Sequence, residues 1–265
     1  MLNSLRHWMI ERLRCAKHNW LDGVSFRVGY RGGIYEVRTE DGLKFRFPFN
    51  PYTSFYEIGG YLAEGEWELE PGMWVIDAGG ERGEFALYAA RKVGSSGGVI
   101  MLEPDPQSRA IAEQAFAANG GKPDNLVVLS QGLWSKPGTL KFAAGLGGSS
   151  VLVDAGTEVA ASAKSAGATM MDLEVHSLQS LVESLKLPRL DFVKMDIEGA
   201  EIEAVEGSGT VLEQFKPRLA IASYHIREGK KTSELLEPLF RQHHYQTRTG
   251  FPGHPTTYGW PADGS

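Results

Sequence analysis

From residue 73 onward, short apolar runs of strand length alternate with stretches of helical character, and this rhythm leaves few folds open. The runs are Met73–Asp77, Val99–Glu103, Asn125–Ser130, Asp191–Asp196 and Leu219–Ser223. Helical stretches follow to about Val93, from Pro106 to Asn119, from about Ala200, and from Lys231 to His243. Short apolar strands separated by helices pair in parallel and bury both faces of their sheet. The expectation is an α/β fold with a doubly wound, mostly parallel Rossmann-like sheet. Tyr245–Thr249 and Thr256–Trp260 would close it, one or both of them antiparallel. Residues 139–176 interrupt the rhythm. There, strand-like Leu140–Phe142 and Leu173–Val175 flank a Gly/Ser/Ala-rich segment, 145–169, which reads as a mobile loop.

Ahead of this region, residues 1–20 read as an amphipathic helix. Leu2, Leu5, Met9, Leu13, Ala16 and Trp20 recur at spacings of three and four and share one face. Docking of that face on the main body is expected, with a homodimer contact or a membrane-surface helix as alternatives. Val24, Phe26 and Val28 alternate, as do Leu43, Phe45 and Phe47, with turn signals at Gly32-Gly33 and Asp41-Gly42. Glu70-Pro71-Gly72 divides the chain into an N-terminal helix and β-hairpin appendage, 1–70, and a main domain, 71–265.

Composition excludes several classes. With 265 residues and 42% apolar side chains, the chain can bury a sizeable core and is not disordered. A single cysteine, Cys15, excludes a disulfide scaffold. The 27 Lys+Arg against 33 Asp+Glu give a net charge of −6, unlike a basic nucleic-acid-binding domain. No apolar window is long enough to span a bilayer, and Arg6, Glu11, Arg12 and Arg14 interrupt anything resembling a secretory signal. A cytoplasmic protein with no nucleic-acid partner and no membrane span is expected.

The first strand of the main domain runs into Asp77-Ala78-Gly79-Gly80-Glu81-Arg82-Gly83. Ligands of open α/β sheets bind at the carboxyl ends of the strands, where glycines admit a ligand to the backbone. The dinucleotide fingerprint G-x-G-x-x-G fails here, because Ala78 holds its first position. A carboxylate at Asp77 would repel a pyrophosphate and attract a cation bearing an ammonium and a sulfonium. The spacing Asp77-x-Gly79-x-x-x-Gly83 is the pattern of S-adenosylmethionine-dependent methyltransferases. Glu103 ends the second strand, where a carboxylate accepts hydrogen bonds from both ribose hydroxyls.

Three segments are similar to FkbM-type class I methyltransferases. They are Val75–Gly83, Val99–Pro106 with Glu103-Pro104-Asp105-Pro106, and Asp191–Glu201, which reads Asp-Phe-Val-Lys-Met-Asp-Ile-Glu-Gly-Ala-Glu. Gln131–Gly138 resembles the family's segment beside the adenine, and Gly147–Val151 a following serine pair. The resemblance covers about 70–260. It implies S-adenosylmethionine as cofactor, with Asp77, Gly79, Glu81, Gly83, Glu103, Pro104, Gln131 and Asp196 around it. It also implies O-methylation of a small molecule such as a sugar or secondary metabolite, with N-methylation of an amide or peptide as the alternative. Glu81 and Arg82 depart from the family's usual small residues, as does Ser223-Tyr224-His225 from its acid before the histidine. A non-catalytic binding module and an NAD-dependent dehydrogenase are the rivals from other classes.

Methyl transfer to a hydroxyl needs alignment, exclusion of water and a proton acceptor. His225, just past the fifth strand, is the expected base or substrate anchor. Asp196 is expected to orient substrate or the cofactor's amino group, with Glu198 beside it. Asp196, Glu198 and His225 could also ligate a divalent metal, but their spacing does not demand one, and no required metal is expected. Lys194 shares a strand face with Asp196, so an ion pair between them is one expectation. His7, His18 and His254 carry no site argument.

Overall fold

The computed structural model describes residues 2–21, 26–145, 151–153, 165–227 and 229–262. Helix α1 (Leu2–Leu21) leads into strands β1 (Phe26–Arg31), β2 (Ile34–Thr39) and β3 (Lys44–Phe47), which form an antiparallel meander, and then helix α2 (Tyr52–Tyr61). Alternating residues of the meander point inward: Phe26 and Val28, Tyr35 and Val37, Phe45 and Phe47 are all buried. Both turn signals close a turn, so the expected hairpin is a three-stranded sheet.

The orientation of α1 corrects the reading from periodicity. Met9, Leu13 and Ala16 of the apolar stripe face solvent. The helix is seated through Glu11 and Cys15, one turn apart and both buried. Glu11 accepts hydrogen bonds from the Tyr35 hydroxyl at 2.6 Å and from Arg14 at 2.9 Å. A charge-assisted anchor of this kind fixes orientation where an apolar stripe finds no groove. The side chains of Leu2, Leu5 and Trp20 lie outside those described.

The main domain continues with β4 (Trp74–Ala78), α3 (Glu84–Val93), β5 (Gly98–Leu102), α4 (Pro106–Ala118) and β6 (Leu126–Leu129). Next come β7 (Gly132–Leu133), β8 (Gly138–Ala144), β9 (Val151–Val153), β10 (Thr169–His176) and α5 (Leu178–Leu185). Strand β11 (Phe192–Met195), helices α6 (Glu201–Glu206) and α7 (Gly209–Phe215), and strand β12 (Arg218–Ala222) follow. The last elements are β13 (Ile226–Arg227), β14 (Lys230–Lys231), α8 (Thr232–Gln242), β15 (Tyr245–Gly250) and β16 (Thr256–Pro261). Helix starts follow the local chemistry. Asp105 caps α4 by accepting from the amides of Gln107 and Ser108, with Pro106 in the first turn, and Ser177 caps α5 through the amide of Ser180. The single helix expected from Ala200 is two, broken at Gly207-Ser208.

The seven-stranded sheet has the order β15-β16-β12-β11-β4-β5-β6. Strands β12, β11, β4, β5 and β6 pair in parallel, and β16 is antiparallel to both of its neighbours. This is the doubly wound α/β fold. On one face, Val75, Val99, Met101 and Phe192 pack with α3, α4 and the meander, so the appendage and the sheet share one apolar core. On the other, Ile76, Ile100, Val193 and Met195 pack with α5, α7 and α8. Strands β7, β8, β9 and β10 form a second sheet, in the order β7-β10-β8-β9. Strand β9 lies within the segment expected to be a loop, where Val151, Leu152 and Val153 pair with β8. The Ser149-Ser150 pair lies outside the described residues.

Candidate active site

Strands β4, β5, β11 and β12 end at the same edge of the sheet, and a cavity of about 300 Å³ opens there. The glycine turn after β4 forms its floor. Gly79 has φ +73°, and a β-carbon there would lie 1.7 Å from the Asp196 carbonyl oxygen, so no other residue fits without moving the backbone. Gly83, at φ +79°, caps α3, and its own β-carbon would meet Phe116 at 2.9 Å. Between them Glu81 takes a left-handed φ of +46°, a conformation that non-glycine residues hold only when their surroundings impose it. The imposing contact is Glu103, whose carboxylate accepts the Glu81 amide at 2.7 Å and the Asp105 amide at 2.7 Å. Burial pushes the Glu103 carboxyl up to about 7, against the pull of those two amides. Each carboxylate oxygen keeps a lone pair for a further donor.

At the Glu103 end the lining also includes Pro104, Gln131, Leu133, Phe142 and Leu173. The last three come from the second sheet, Phe142 and Leu173 from the segment that broke the strand–helix rhythm, and they wall this end with apolar side chains.

At the other end Asp196, one residue past β11, collects polar partners. Its carboxylate accepts from the Tyr61 hydroxyl at 2.8 Å and the Tyr224 hydroxyl at 3.2 Å, and His254 Nε2 lies 3.4 Å away. Burial alone would raise the Asp196 carboxyl, but His254, Lys194 and Tyr61 outweigh it and hold it below the ordinary value. His254 turns Nε2 to this carboxylate, while its Nδ1 is buried with no hydrogen-bond partner among the described residues. Glu57 of α2 lines this end as well, its carboxyl raised by burial.

Sequence reasoning missed Tyr61, Glu57, Tyr224 and His254. The signal for His254 was available. Strand β16 is antiparallel, with Thr256 paired to Ala222, the last residue of β12. Whatever precedes β16 therefore reaches the same edge as whatever follows β12, bringing His254 beside Tyr224.

Four expected positions differ from expectation, the first being Gly83, which caps α3 and does not line the cavity. Asp77 is fully buried and does not line the cavity. Its partner is Lys194, directly across the β4–β11 pair, with Nζ 3.0 Å from Oδ1. Lys194 also donates to the Gly79 carbonyl at 2.6 Å, so the pair braces the glycine turn from beneath. Burial alone would lower the Lys194 ammonium, but the Asp77 and Asp196 carboxylates outweigh it and hold it up. The expected Lys194–Asp196 ion pair is thus replaced by one with Asp77, because neighbouring strands in register bring side chains closer than i, i+2 on one strand.

His225 likewise does not line the cavity. Its ring nitrogens face Glu198 at 3.4 Å and Glu201 at 3.5 Å. Burial opposes the charged ring, yet the two carboxylates push its pKa up to about 10. Held as a cation at neutral pH, it cannot accept a proton. Glu198 lines the cavity with a left-handed φ of +57°. Single ligand atoms of Asp196, Glu198 and His225 fall within 4.8 Å of one another, but tyrosines, His254 and the imidazole–carboxylate contacts already engage them. Arg82 is taken up by Glu81 and by the faces of Phe47 and Phe49, 5.8 and 4.6 Å from their ring centres.

The charges in the lining discriminate between ligand classes. Glu57, Glu81, Glu84, Glu103, Asp196 and Glu198 stand against Arg82 and Lys194. A pyrophosphate meets net repulsion in this cavity, whereas a ligand carrying a sulfonium and an ammonium meets attraction. The close backbone approach at Gly79 and the free lone pairs on Glu103 suit a nucleoside with a vicinal diol. The cavity therefore fits S-adenosylmethionine.

The described residues include no helix long and apolar enough to cross a membrane. Comparison with known proteins matches residues 77–247 to a family model, the methyltransferase FkbM domain. A protein named methyltransferase sdnD, from Sordaria araneosa, is 29% identical over 162 residues, covering 52% of this chain and 61% of that protein. The crystal structure of methyltransferase FkbM from Methylobacillus flagellatus superimposes with a TM-score of 0.53 at 18% identity, over 78% of this chain and 50% of that one. The chain thus spans half to about three fifths of these relatives' lengths.

Proposed function

The chain belongs to the methyltransferase FkbM domain family, and from that premise we propose that its cavity binds S-adenosylmethionine and directs methyl transfer to a hydroxyl of a small molecule such as a sugar or secondary metabolite. The observation that carries the reading is the placement of two unlike polar ends across one glycine turn. Glu103 stands past β5, and the Asp196 group stands past β11. The cofactor, when bound, supplies an electrophilic methyl on a sulfonium.

Everything else falls to residues of the chain. Glu103 takes the ribose diol on its free lone pairs. Leu133, Phe142 and Leu173 cover the base, beside Pro104 and Gln131. Gly79 lets the ligand lie against the backbone. Asp196, Glu57, Glu81 and Glu198 surround the cationic end, where an acidic lining holds a sulfonium and an ammonium without a fixed counter-anion. Thr53, Ser54 and Glu57 of α2 roof the cavity and keep water from the methyl. The Asp196–His254 pair lines this end of the cavity and takes the acceptor's proton. Tyr61 and Tyr224 hold Asp196 in place. His225 is a fixed cation that positions Glu198 and Glu201.

The test is a turnover assay with methyl-labelled S-adenosylmethionine and a panel of hydroxyl and amide acceptors. The expected result is label in an ether product and release of S-adenosylhomocysteine. His254→Ala is expected to lose turnover while keeping affinity for S-adenosylhomocysteine. Label found on nitrogen assigns the amide alternative. Binding of NAD in preference to S-adenosylhomocysteine overturns the methyltransferase reading.

A further inference from the structure

The outward face of α1 carries an apolar surface with a cationic border that nothing covers among the described residues. Met9, Leu13 and Ile10 are 52%, 67% and 49% exposed, and Trp8 is 37% exposed with the Arg12 guanidinium 4.7 Å over its ring. Arg6, Arg12, Arg14 and Lys17 are exposed along the same helix. On a helical projection Met9 and Leu13 lie together opposite the seated Glu11 and Cys15. Arg12 borders them on one side, Arg6 and Lys17 on the other. The helix has one acidic residue, Glu11. It is buried and bonded to Tyr35 and Arg14, so the helix shows no carboxylate to the outside among its described residues.

The charge of the whole chain follows the same division. Residues 1–50 hold nine Lys+Arg against five Asp+Glu, while the remainder holds 18 against 28. A locally cationic face on an acidic protein selects an anionic partner and turns the acidic remainder away from it.

We propose that this face of α1 docks on an anionic lipid surface, with Met9, Leu13 and Ile10 entering the interface and Arg6, Arg12 and Lys17 meeting headgroup phosphates. An apolar stripe bordered by Lys and Arg is the composition of a helix lying in a membrane interface plane. A second copy fits worse. Isologous pairing of two such faces would bring Arg6, Arg12 and Lys17 of both copies together with no exposed acid on the helix to oppose them. The surface belongs to the unit that roofs the cavity. Helix α1 packs on β1, and Phe26 of β1 meets Phe55 of α2 at 5.4 Å between ring centres.

The proposal does not depend on the cofactor or the reaction. Its test is co-sedimentation of the full chain with vesicles of phosphatidylcholine alone and with added phosphatidylglycerol, at low and high salt, beside light scattering without lipid. The expected result is binding to the phosphatidylglycerol vesicles only, weakening as salt rises. Met9→Glu combined with Leu13→Glu should reduce binding more than about tenfold, since it removes the inserting side chains. Arg12→Gln and Lys17→Gln should each reduce it about fivefold. All of these positions are exposed, so circular dichroism and affinity for S-adenosylhomocysteine should stay unchanged. Absence of binding to either vesicle, or equal binding to both, overturns the proposal. So does a dimer in the absence of lipid that the Met9→Glu, Leu13→Glu variant dissociates, which would make a second copy the occupant.

Discussion

Replacing Glu103 with Gln separates two consequences that the structure keeps distinct. In the free protein both carboxylate oxygens already accept a backbone amide, from Glu81 and Asp105, each at 2.7 Å. A glutamine has one acceptor oxygen, so one of these amides would face an NH₂ group and lose its partner. That loss is about 1–3 kcal/mol of stability. It is present with and without ligand and therefore cancels from the affinity. What affinity loses is one charge-assisted hydrogen bond from a ribose hydroxyl, about 1.5–3 kcal/mol, or about 10- to 150-fold in Kd. A pH effect accompanies it. Burial lifts the free Glu103 carboxyl to about 7, and hydroxyl donors favour its ionised form, so binding lowers that pKa. Wild-type affinity for S-adenosylhomocysteine should then rise with pH up to about 7 and level off above it, while the Glu103→Gln profile loses this rise. Isothermal titration calorimetry across pH 5.5 to about 8.5 reads both effects. Unchanged affinity in the variant, or the same rise surviving in it, would refute the assignment of Glu103 to the ribose.

Other substitutions test separate parts of the account. His254→Gln should lower kcat steeply and leave Kd for S-adenosylhomocysteine nearly unchanged, whereas equal loss of both would make His254 structural. Lys194→Met strands the buried Asp77 carboxylate and should lower stability by about 3–5 kcal/mol in urea unfolding, with Asp77→Asn restoring part of it in the double variant. Full stability of the single variant would contradict the brace beneath the glycine turn. Gly79→Ala forces a β-carbon onto the Asp196 carbonyl oxygen and should abolish cofactor binding, with a thermal scan distinguishing a folded but blocked cavity from an unfolded chain. His225→Gln removes a cation held by Glu198 and Glu201, and its effect should appear as a loss of thermal stability that is largest near pH 6 and shrinks as pH rises toward 10. The sign follows from the raised pKa of about 10: the stabilisation is fully present below the ordinary value near 6.5 and is lost only as pH rises through about 10.

What the sequence revealed and what it hid divide along physical lines. Strands β4, β5, β6, β11 and β12 were legible because the central ones are covered on both faces and must be apolar at nearly every position. The glycine turn and Glu103 were legible because their backbone and charge requirements are local. Tyr61, Glu57 and His254 were not, since their roles depend on which distant elements meet at one sheet edge. His254 stands in the Phe251–Pro255 turn, which shows nothing unusual until the direction of β16 is known. Asp77 misled for the opposite reason. A carboxylate at a strand end looks like a ligand contact, and only the register Lys194↔Asp77 shows that it faces inward. The seating of α1 escaped periodicity because one buried carboxylate, Glu11, seats the helix while the described stripe positions Met9, Leu13 and Ala16 face solvent.

The most direct test of the central claim is the crystal structure of the chain with S-adenosylhomocysteine. The account predicts ribose hydroxyls on the Glu103 carboxylate, the base against Leu133, Phe142 and Leu173, and the sulfur facing Asp196 and His254. A ligand bound outside this cavity, or reversed within it so that the ribose lies at Asp196, would contradict it.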